Sequence, residues 1–287
     1  MTESASITLK APAKINLFLK VLGKRPDGYH DIYSLLQTVN LCDTLRLSRR
    51  DAGIKIESDS ASIPVDESNL VAKAFSLLQK ETGFSGGIHC KLKKEIPVGA
   101  GLGGGSSDAA AALKGINQLL GLGLVVERLA AIGANIGSDI PFFFSSGQAI
   151  ISGRGEDVLT INLPTGYEII LIVPDFAIST AWAYSQLRFP LTRHSAPPTF
   201  YLAESVPDLF ESLKKIGNDF QSIVADNFPE VGTCTGNLWQ AGAKHVALTG
   251  SGSAFYGLFE GDSGFDTDTF IKGRIGWRVF KLRPISF

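Results

Sequence analysis

Neither sign of charge dominates this 287-residue chain: 27 Lys and Arg stand against 28 Asp and Glu, a net charge of −1. That balance excludes a broad electropositive face for nucleic acid or an anionic membrane, so any phosphate recognition has to be local. Long hydrophobic runs are missing as well. The best uninterrupted one, Ile169 to Pro174, falls far short of the roughly 20 residues that cross a bilayer and reads as a buried strand. The opening residues Met1-Thr2-Glu3-Ser4-Ala5-Ser6-Ile7 lack the basic-then-apolar order of a secretory leader. Cysteine is scarce. Cys42, Cys90 and Cys234 form no Cys-x-x-Cys pair and have no histidine spacing that would hold zinc, so they read as small buried hydrophobes in a reducing cytosol. A soluble cytoplasmic protein with neither a nucleic-acid nor a membrane partner is expected.

Glycine, in contrast, is abundant, with 31 residues, and 44% of the chain is hydrophobic, enough for a sizeable core and two domains. Five of the glycines fall within seven residues of the run Pro97-Val98-Gly99-Ala100-Gly101-Leu102-Gly103-Gly104-Gly105-Ser106-Ser107-Asp108-Ala109-Ala110. Such a run lets a ligand approach the main chain closely, and the unpaired N–H groups of the helix that follows point at whatever anion lies there. A flexible linker is the blander alternative. The spacing of Ala109 to Ala112, Leu113, Ile116 and Leu120 instead predicts an amphipathic helix, with Ser107 or Asp108 as its N-cap, directly after the glycines.

Two familiar phosphate loops do not fit. A Walker A loop needs Gly-Lys-Ser/Thr, and no lysine follows these glycines before Lys114. Gly99-x-Gly101-x-x-Gly104 formally satisfies a dinucleotide fingerprint, with Glu127 near the place of a ribose acid. The strand before it, His89 to Ile96, is charged and half exposed, whereas the opening strand of a parallel doubly wound sheet is buried on both faces.

Along the chain, strands are expected at Ser6 to Leu9, Ile15 to Val21, Leu41 to Ser48 and Ile54 to Ser58, and a helix over Asn69 to Lys80. A second helix, with Leu129, Ile132 and Ile136, delivers Gly137-Ser138-Asp139 at its end, and Pro141 forbids continuation. Near Thr165 the pattern changes, and a polar loop over Arg188 to Thr199 carries three prolines. Beyond it, helices at Leu209 to Ile216 and Pro229 to Ala241 and strands at His245 to Thr249, Ala254 to Phe259 and Trp277 to Leu282 complete the reading.

The run Pro97 to Ala110 resembles, position for position, the second motif of the GHMP kinases, small-molecule kinases unrelated to Walker A proteins. Ala11-Pro12-Ala13-Lys14-Ile15-Asn16-Leu17 and Leu248-Thr249-Gly250-Ser251-Gly252-Ser253-Ala254 fit the first and third motifs of that family. Arg25-Pro26-Asp27-Gly28-Tyr29-His30 and Gly137-Ser138-Asp139-Ile140-Pro141-Phe142-Phe143 narrow the resemblance to members whose acceptor is a cytidine-diphosphate-linked methylerythritol, phosphorylated on its 2-hydroxyl. Ser253-Ala254 is the visible departure, where relatives often carry other small residues. The resemblance implies an α+β fold of two domains, 1–164 and 165–287. The first would be of the ribosomal protein S5 domain 2 type and bind ATP; the second would be ferredoxin-like and bind substrate, with the active site in the cleft. It implies ATP and Mg²⁺ as cofactors, a small-molecule substrate, and a monomer or weak homodimer.

Phosphoryl transfer to an alcohol needs charge neutralisation, an oriented hydroxyl and a destination for its proton. The resemblance makes Asp139 the general base and Lys14 the cation that holds it ionised. It makes Pro97, Val98, Gly99, Ala100, Gly101, Leu102, Gly103, Gly104, Gly105, Ser106 and Ser107 the ATP loop. Asn16, two positions beyond Lys14 and on the same strand face, is a substrate contact. Tyr29 and His30 resemble the residues that hold a cytosine ring, and Tyr184 is the candidate for its opposite face. Gly250, Ser251 and Gly252 are expected to approach the substrate or the moving phosphate. A kinase for another alcohol, such as mevalonate or homoserine, and a nucleotide-sensing module without turnover are the alternatives.

Overall fold

The computed structural model describes residues 5–187, 197–200 and 202–287, so most of the loop expected over Arg188 to Thr199 lies outside the described residues. By contacts the chain forms two compact units. The first comprises Met1–Ala13, Leu41–Val98 and Gly103–Ser145; the second comprises Lys14–Asn40, Gly99–Leu102 and Ser146–Phe287. The long strands β1 (Ser6–Lys24) and β2 (His30–Arg50), which pair with each other, pass from one unit into the other, as does the glycine run.

Two separate strands were expected where β1 runs unbroken, because Pro12 reads as a break. Proline removes a donor N–H and fixes φ at about −65°, which a strand edge tolerates, and β1 has β2 as its one strand partner among the described residues, so no second ladder needs that donor.

In the first unit β4 (Gly87–Lys93) runs parallel to β3 (Gly53–Ser58) and antiparallel to the end of β2, with Thr44 opposite Lys93 and Arg50 opposite Gly87. Alternation along β4 turns Ile88, Cys90 and Leu92 inward. The helices α1 (Leu70–Thr82) and α2 (Gly104–Leu120) pack on each other, burying Val71, Phe75 and Leu78 of the first and Ala109, Ala112, Leu113 and Ile116 of the second. Asn69 caps α1 by accepting from the Val71 N–H, and Gly83, at φ 66°, ends it. The helix α3 (Val126–Ala134) and a 3-10 turn (Pro141–Phe144) complete the unit.

In the second unit the first half of β2 pairs with β5 (Gln148–Ser152), which pairs with β6 (Asp157–Thr160). A separate antiparallel sheet has the order β10 (Arg278–Leu282), β7 (Tyr167–Val173), β9 (Phe255–Glu260), β8 (His245–Leu248). All seven residues of β7 are buried, as its apolar run requires. Around this sheet lie α4 (Thr180–Gln186), α5 (Val206–Ile216), α6 (Gln221–Asn227), α7 (Pro229–Gln240) and α8 (Thr267–Ile271). Side chains of β9 alternate between its faces. A Cβ on Gly257 would meet Ala243 and Leu238 on the α7 side at 3.2 and 3.3 Å. Its neighbour Tyr256 points the other way, and its hydroxyl donates to the Asn16 carbonyl at 2.8 Å and reaches that of Leu17 at 3.2 Å. His245 is buried; burial pushes its imidazole down to about 4, against a hydrogen bond to the Leu17 backbone, so the ring is neutral at pH 7. The sheet therefore braces the β1 segment that carries Lys14 and Asn16.

Candidate active site

The glycine run is shaped by two constraints. Gly101, at φ 78°, lies so close to the third-motif backbone that a Cβ would stand 2.4 Å from the Thr249 carbonyl oxygen, so no larger residue fits. Gly103, at φ 69°, is the N-cap of α2. This corrects the expected cap at Ser107 or Asp108. The helix begins at Gly104, the Ser107 N–H already bonds the Gly103 carbonyl at 2.9 Å, and Asp108 lies inside the second turn. Because a glycine cap has no side chain, no side chain caps the first amides of α2. Pro97, Ala100, Leu102 and Ser107 are buried, whereas Val98, Gly99 and Gly105 are exposed. Gly104 is tight too, with a Cβ site 3.0 Å from Ile96.

Beneath the start of α2 lies a buried charge cluster that sequence reasoning missed. Asp43, fully buried at the start of the first-unit part of β2, accepts the N–H groups of Glu95 and Ile96 at 2.6 and 2.9 Å and pairs with Lys94. Lys94 also pairs with Asp108 at 2.8 Å, and its side chain is only 5% exposed. Two carboxylates thus share one ammonium. Burial would lower the Lys94 ammonium, but Asp108 and Asp43 outweigh it and hold it above its ordinary value. Burial, and then Asp43 beside it, push the Asp108 carboxyl up to about 7 against the pull of Lys94. The Oδ1 of Asp108 and the Oγ of Ser107 meet no partner.

Asp139 follows α3 in a half-buried turn of the first unit. The Gly137 N–H bonds the Gly133 carbonyl at 3.1 Å and the Ile140 N–H bonds that of Gly137 at 3.2 Å. Gly133 leaves room for Ile140, whose Cγ2 stands 2.5 Å from where its Cβ would be. Lys114, also unanticipated, donates to the Phe143 carbonyl at 2.6 Å and so ties α2 to the 3-10 turn just after Asp139.

In the second unit the first and third motifs and the front of the glycine run are knitted together. The Lys14 N–H bonds the Leu102 carbonyl at 2.9 Å, and its buried ammonium donates to Asn16 Oδ1 at 2.6 Å. The same oxygen accepts the Gly250 N–H at 2.9 Å, while Asn16 Nδ2 donates to Ser34 Oγ at 2.8 Å. Asn218 binds the carbonyls of Leu248 and Gly250 at 2.9 and 3.0 Å, and Ser251 lies 3.2 Å from Thr180 at the start of α4. Gly252 is a tight turn position at φ 90°.

The aromatic candidates also gather in this unit. The rings of His30 and Tyr184 are 4.6 Å apart at 35°, and Phe220 meets Tyr184 edge-on at 4.9 Å. Tyr29 is 55% exposed, with the Arg154 guanidinium 5.1 Å above its ring. Burial, helped by Lys24, lowers the His30 imidazole, which favours a neutral ring able both to donate and to accept. Phe220 and Arg154 carry no motif signal in the sequence. Among the described residues no three His, Cys, Asp or Glu side chains gather as a metal-ion site, and no helix is long and apolar enough to cross a membrane.

The signature of the GHMP kinases N terminal domain matches residues 69–147. Over 260 residues, 88% of this chain and 90% of the relative, the sequence is 44% identical to the 4-diphosphocytidyl-2-C-methyl-D-erythritol kinase of Thermodesulfovibrio yellowstonii. A crystal structure of 4-(cytidine 5'-diphospho)-2C-methyl-D-erythritol kinase superposes with a TM-score of 0.77 at 30% identity, covering 97% of this chain and 99% of that one. A homoserine kinase from Cytophaga hutchinsonii superposes at 0.71 with 20% identity, covering 100% of this chain and 96% of that one, and shares the fold.

Proposed function

Because the chain belongs to the GHMP kinases, and among them to the 4-diphosphocytidyl-2-C-methyl-D-erythritol kinases, we propose that it transfers the terminal phosphoryl group of ATP to the 2-hydroxyl of 4-diphosphocytidyl-2-C-methyl-D-erythritol. This is the ATP-dependent step of the non-mevalonate route to isopentenyl diphosphate. The observation that carries the reading is the joining of motif segments: Lys14 and Asn16, Gly101 and Leu102, and Thr249 and Gly250 share one hydrogen-bonded cluster.

Residues 97–107 cradle the triphosphate, with the uncapped amides of α2 facing its charge. Asp139 takes the proton of the attacking hydroxyl, with Lys14 as its charged partner in the reaction. The carboxamide oxygen of Asn16 is taken by Lys14 and Gly250, which leaves one Nδ2 hydrogen for substrate. Tyr29 and Tyr184 offer ring faces to the cytosine and His30 a polar edge, while Gly250, Ser251 and Gly252 bring backbone close to the transferred group. Mg²⁺ would come with the nucleotide, held largely through phosphates and water, and would supply charge neutralisation around the transferred group.

A coupled ADP-release assay tests this, with the cytidine-diphosphate-linked alcohol, mevalonate and homoserine as acceptors, each with and without Mg²⁺. Turnover confined to the first acceptor and dependent on Mg²⁺ is expected. Turnover of mevalonate or homoserine instead would overturn the acceptor, and nucleotide binding without any turnover would leave a sensor.

A further inference from the structure

We infer that the Thr249 hydroxyl is a positioning group that locks the phosphate loop to the strand carrying Lys14, an inference that rests on the phosphoryl-transfer reading above. Thr249 follows β8 and is completely buried. Its Oγ1 accepts the Asn16 N–H at 3.1 Å. The single hydroxyl proton has two acceptors in range, the Gly101 carbonyl at 3.1 Å and Asn16 Oδ1 at 3.3 Å. Asn16 Oδ1 already receives Lys14 Nζ and the Gly250 N–H, which fill its two lone-pair directions, so the proton goes to Gly101. One hydroxyl therefore takes from the strand that bears the ammonium and gives to the loop proposed to hold the nucleotide.

The Thr249 backbone cannot take over the hydroxyl's two bonds. The Thr249 N–H is committed to the Ala254 carbonyl at 3.0 Å, and the Thr249 carbonyl accepts the Gly252 N–H at 3.1 Å. The missing Cβ of Gly101 is what lets the loop come within reach of that backbone. Without the hydroxyl the two backbones would still touch, but neither the Asn16 N–H nor the Gly101 carbonyl would have its partner. The Lys14 N–H would still hold the Leu102 carbonyl, so loop and strand would keep one link and lose the one at Gly101, and misplacement of reacting groups by about 1 Å can cost about 10²-fold in rate. The ring contacts of Tyr184 with His30 and Phe220, in the group proposed to hold the cytosine, do not involve Thr249.

The test compares wild type, Thr249→Val, which keeps the shape, and Thr249→Ser, which keeps the hydroxyl. For each, kcat, both KM values, and the affinities for a non-hydrolysable ATP analogue and for cytidine diphosphate are measured. The valine variant should lose about 10- to 100-fold in kcat and about tenfold in analogue affinity, with cytidine diphosphate binding unchanged, and serine should restore both to within about threefold. Thr249→Cys, close in size and with a weakly bonding sulfur, carries the same expectation as valine should that variant be insoluble. Unchanged kcat and analogue affinity in the valine variant, a serine variant as impaired as valine, or an equal loss of cytidine diphosphate binding would each overturn the inference. If wild type fails to phosphorylate the proposed acceptor, that reading falls, while the analogue affinities still decide the role of Thr249.

Discussion

Replacing Lys94 by methionine removes the cation from the cluster beneath α2 and keeps most of the unbranched side chain. It leaves Asp43, fully buried, facing Asp108, 4% exposed at its side chain, with no ammonium between them. Two carboxylates in such a place cannot both stay ionised, and taking one partner from a buried ion pair costs about 3 to 5 kcal/mol. That is a large share of the roughly 5 to 15 kcal/mol by which folded proteins are stable. At about 2 to 4 °C per kcal/mol for chains near this size, the melting temperature should fall by about 10 °C.

The direction with pH is also determined. The Asp108 carboxyl is raised in the folded protein to about 7. The folded state therefore holds a proton that the unfolded state has already released, and stability falls as pH rises from the ordinary carboxylate range through about 7. Loss of Lys94 raises the carboxyl further, so the deficit of the variant should widen towards alkaline pH. Urea unfolding of both proteins at about pH 5 and about pH 8 measures this, with the larger difference expected at the higher pH. Asp108→Asn, which removes one of the competing carboxylates, should flatten the wild-type dependence. A Lys94→Met protein as stable as wild type at the higher pH, or a deficit that grows towards acid, would refute the shared-ammonium reasoning.

Asp139→Asn should lower kcat by about 10²- to 10⁴-fold while ATP-analogue affinity by calorimetry stays within about threefold; normal turnover would require another base. Gly103→Val places a β-branched residue at φ 69° and should distort the helix start, so titration should show much weaker nucleotide binding. Unchanged nucleotide affinity there would remove the loop's proposed role. Tyr184→Ala should raise KM for the cytidine substrate by about 5- to 150-fold, the equivalent of about 1 to 3 kcal/mol of stacking, and leave KM for ATP alone.

Local chemistry alone determined a good part of this protein. Asn69 before an apolar period and Gly83 after it delimit α1, because a cap and a left-handed glycine act within one turn. The unbroken apolar run at residues 169–173 reads as a buried strand, and β7 is buried along its whole length. The glycine run followed by alanines announced a loop feeding a helix, because glycine freedom and helix propensity are local properties. Which residue capped that helix was decided by tertiary contacts: with Ile96 close to Gly104 and Thr249 close to Gly101, the turn had to be completed at Gly103. Lys94 stands in a lysine-rich, alternating segment that reads as facing solvent. Its burial follows from Asp43, distant in sequence, and from Asp108, and no short window contains all three. Thr249 likewise looks like the edge of a glycine turn until the fold brings Asn16 and Gly101 to its hydroxyl. Burial and hydrogen-bond partners are properties of the assembled chain, and they turned ordinary polar residues into buried, bonded ones.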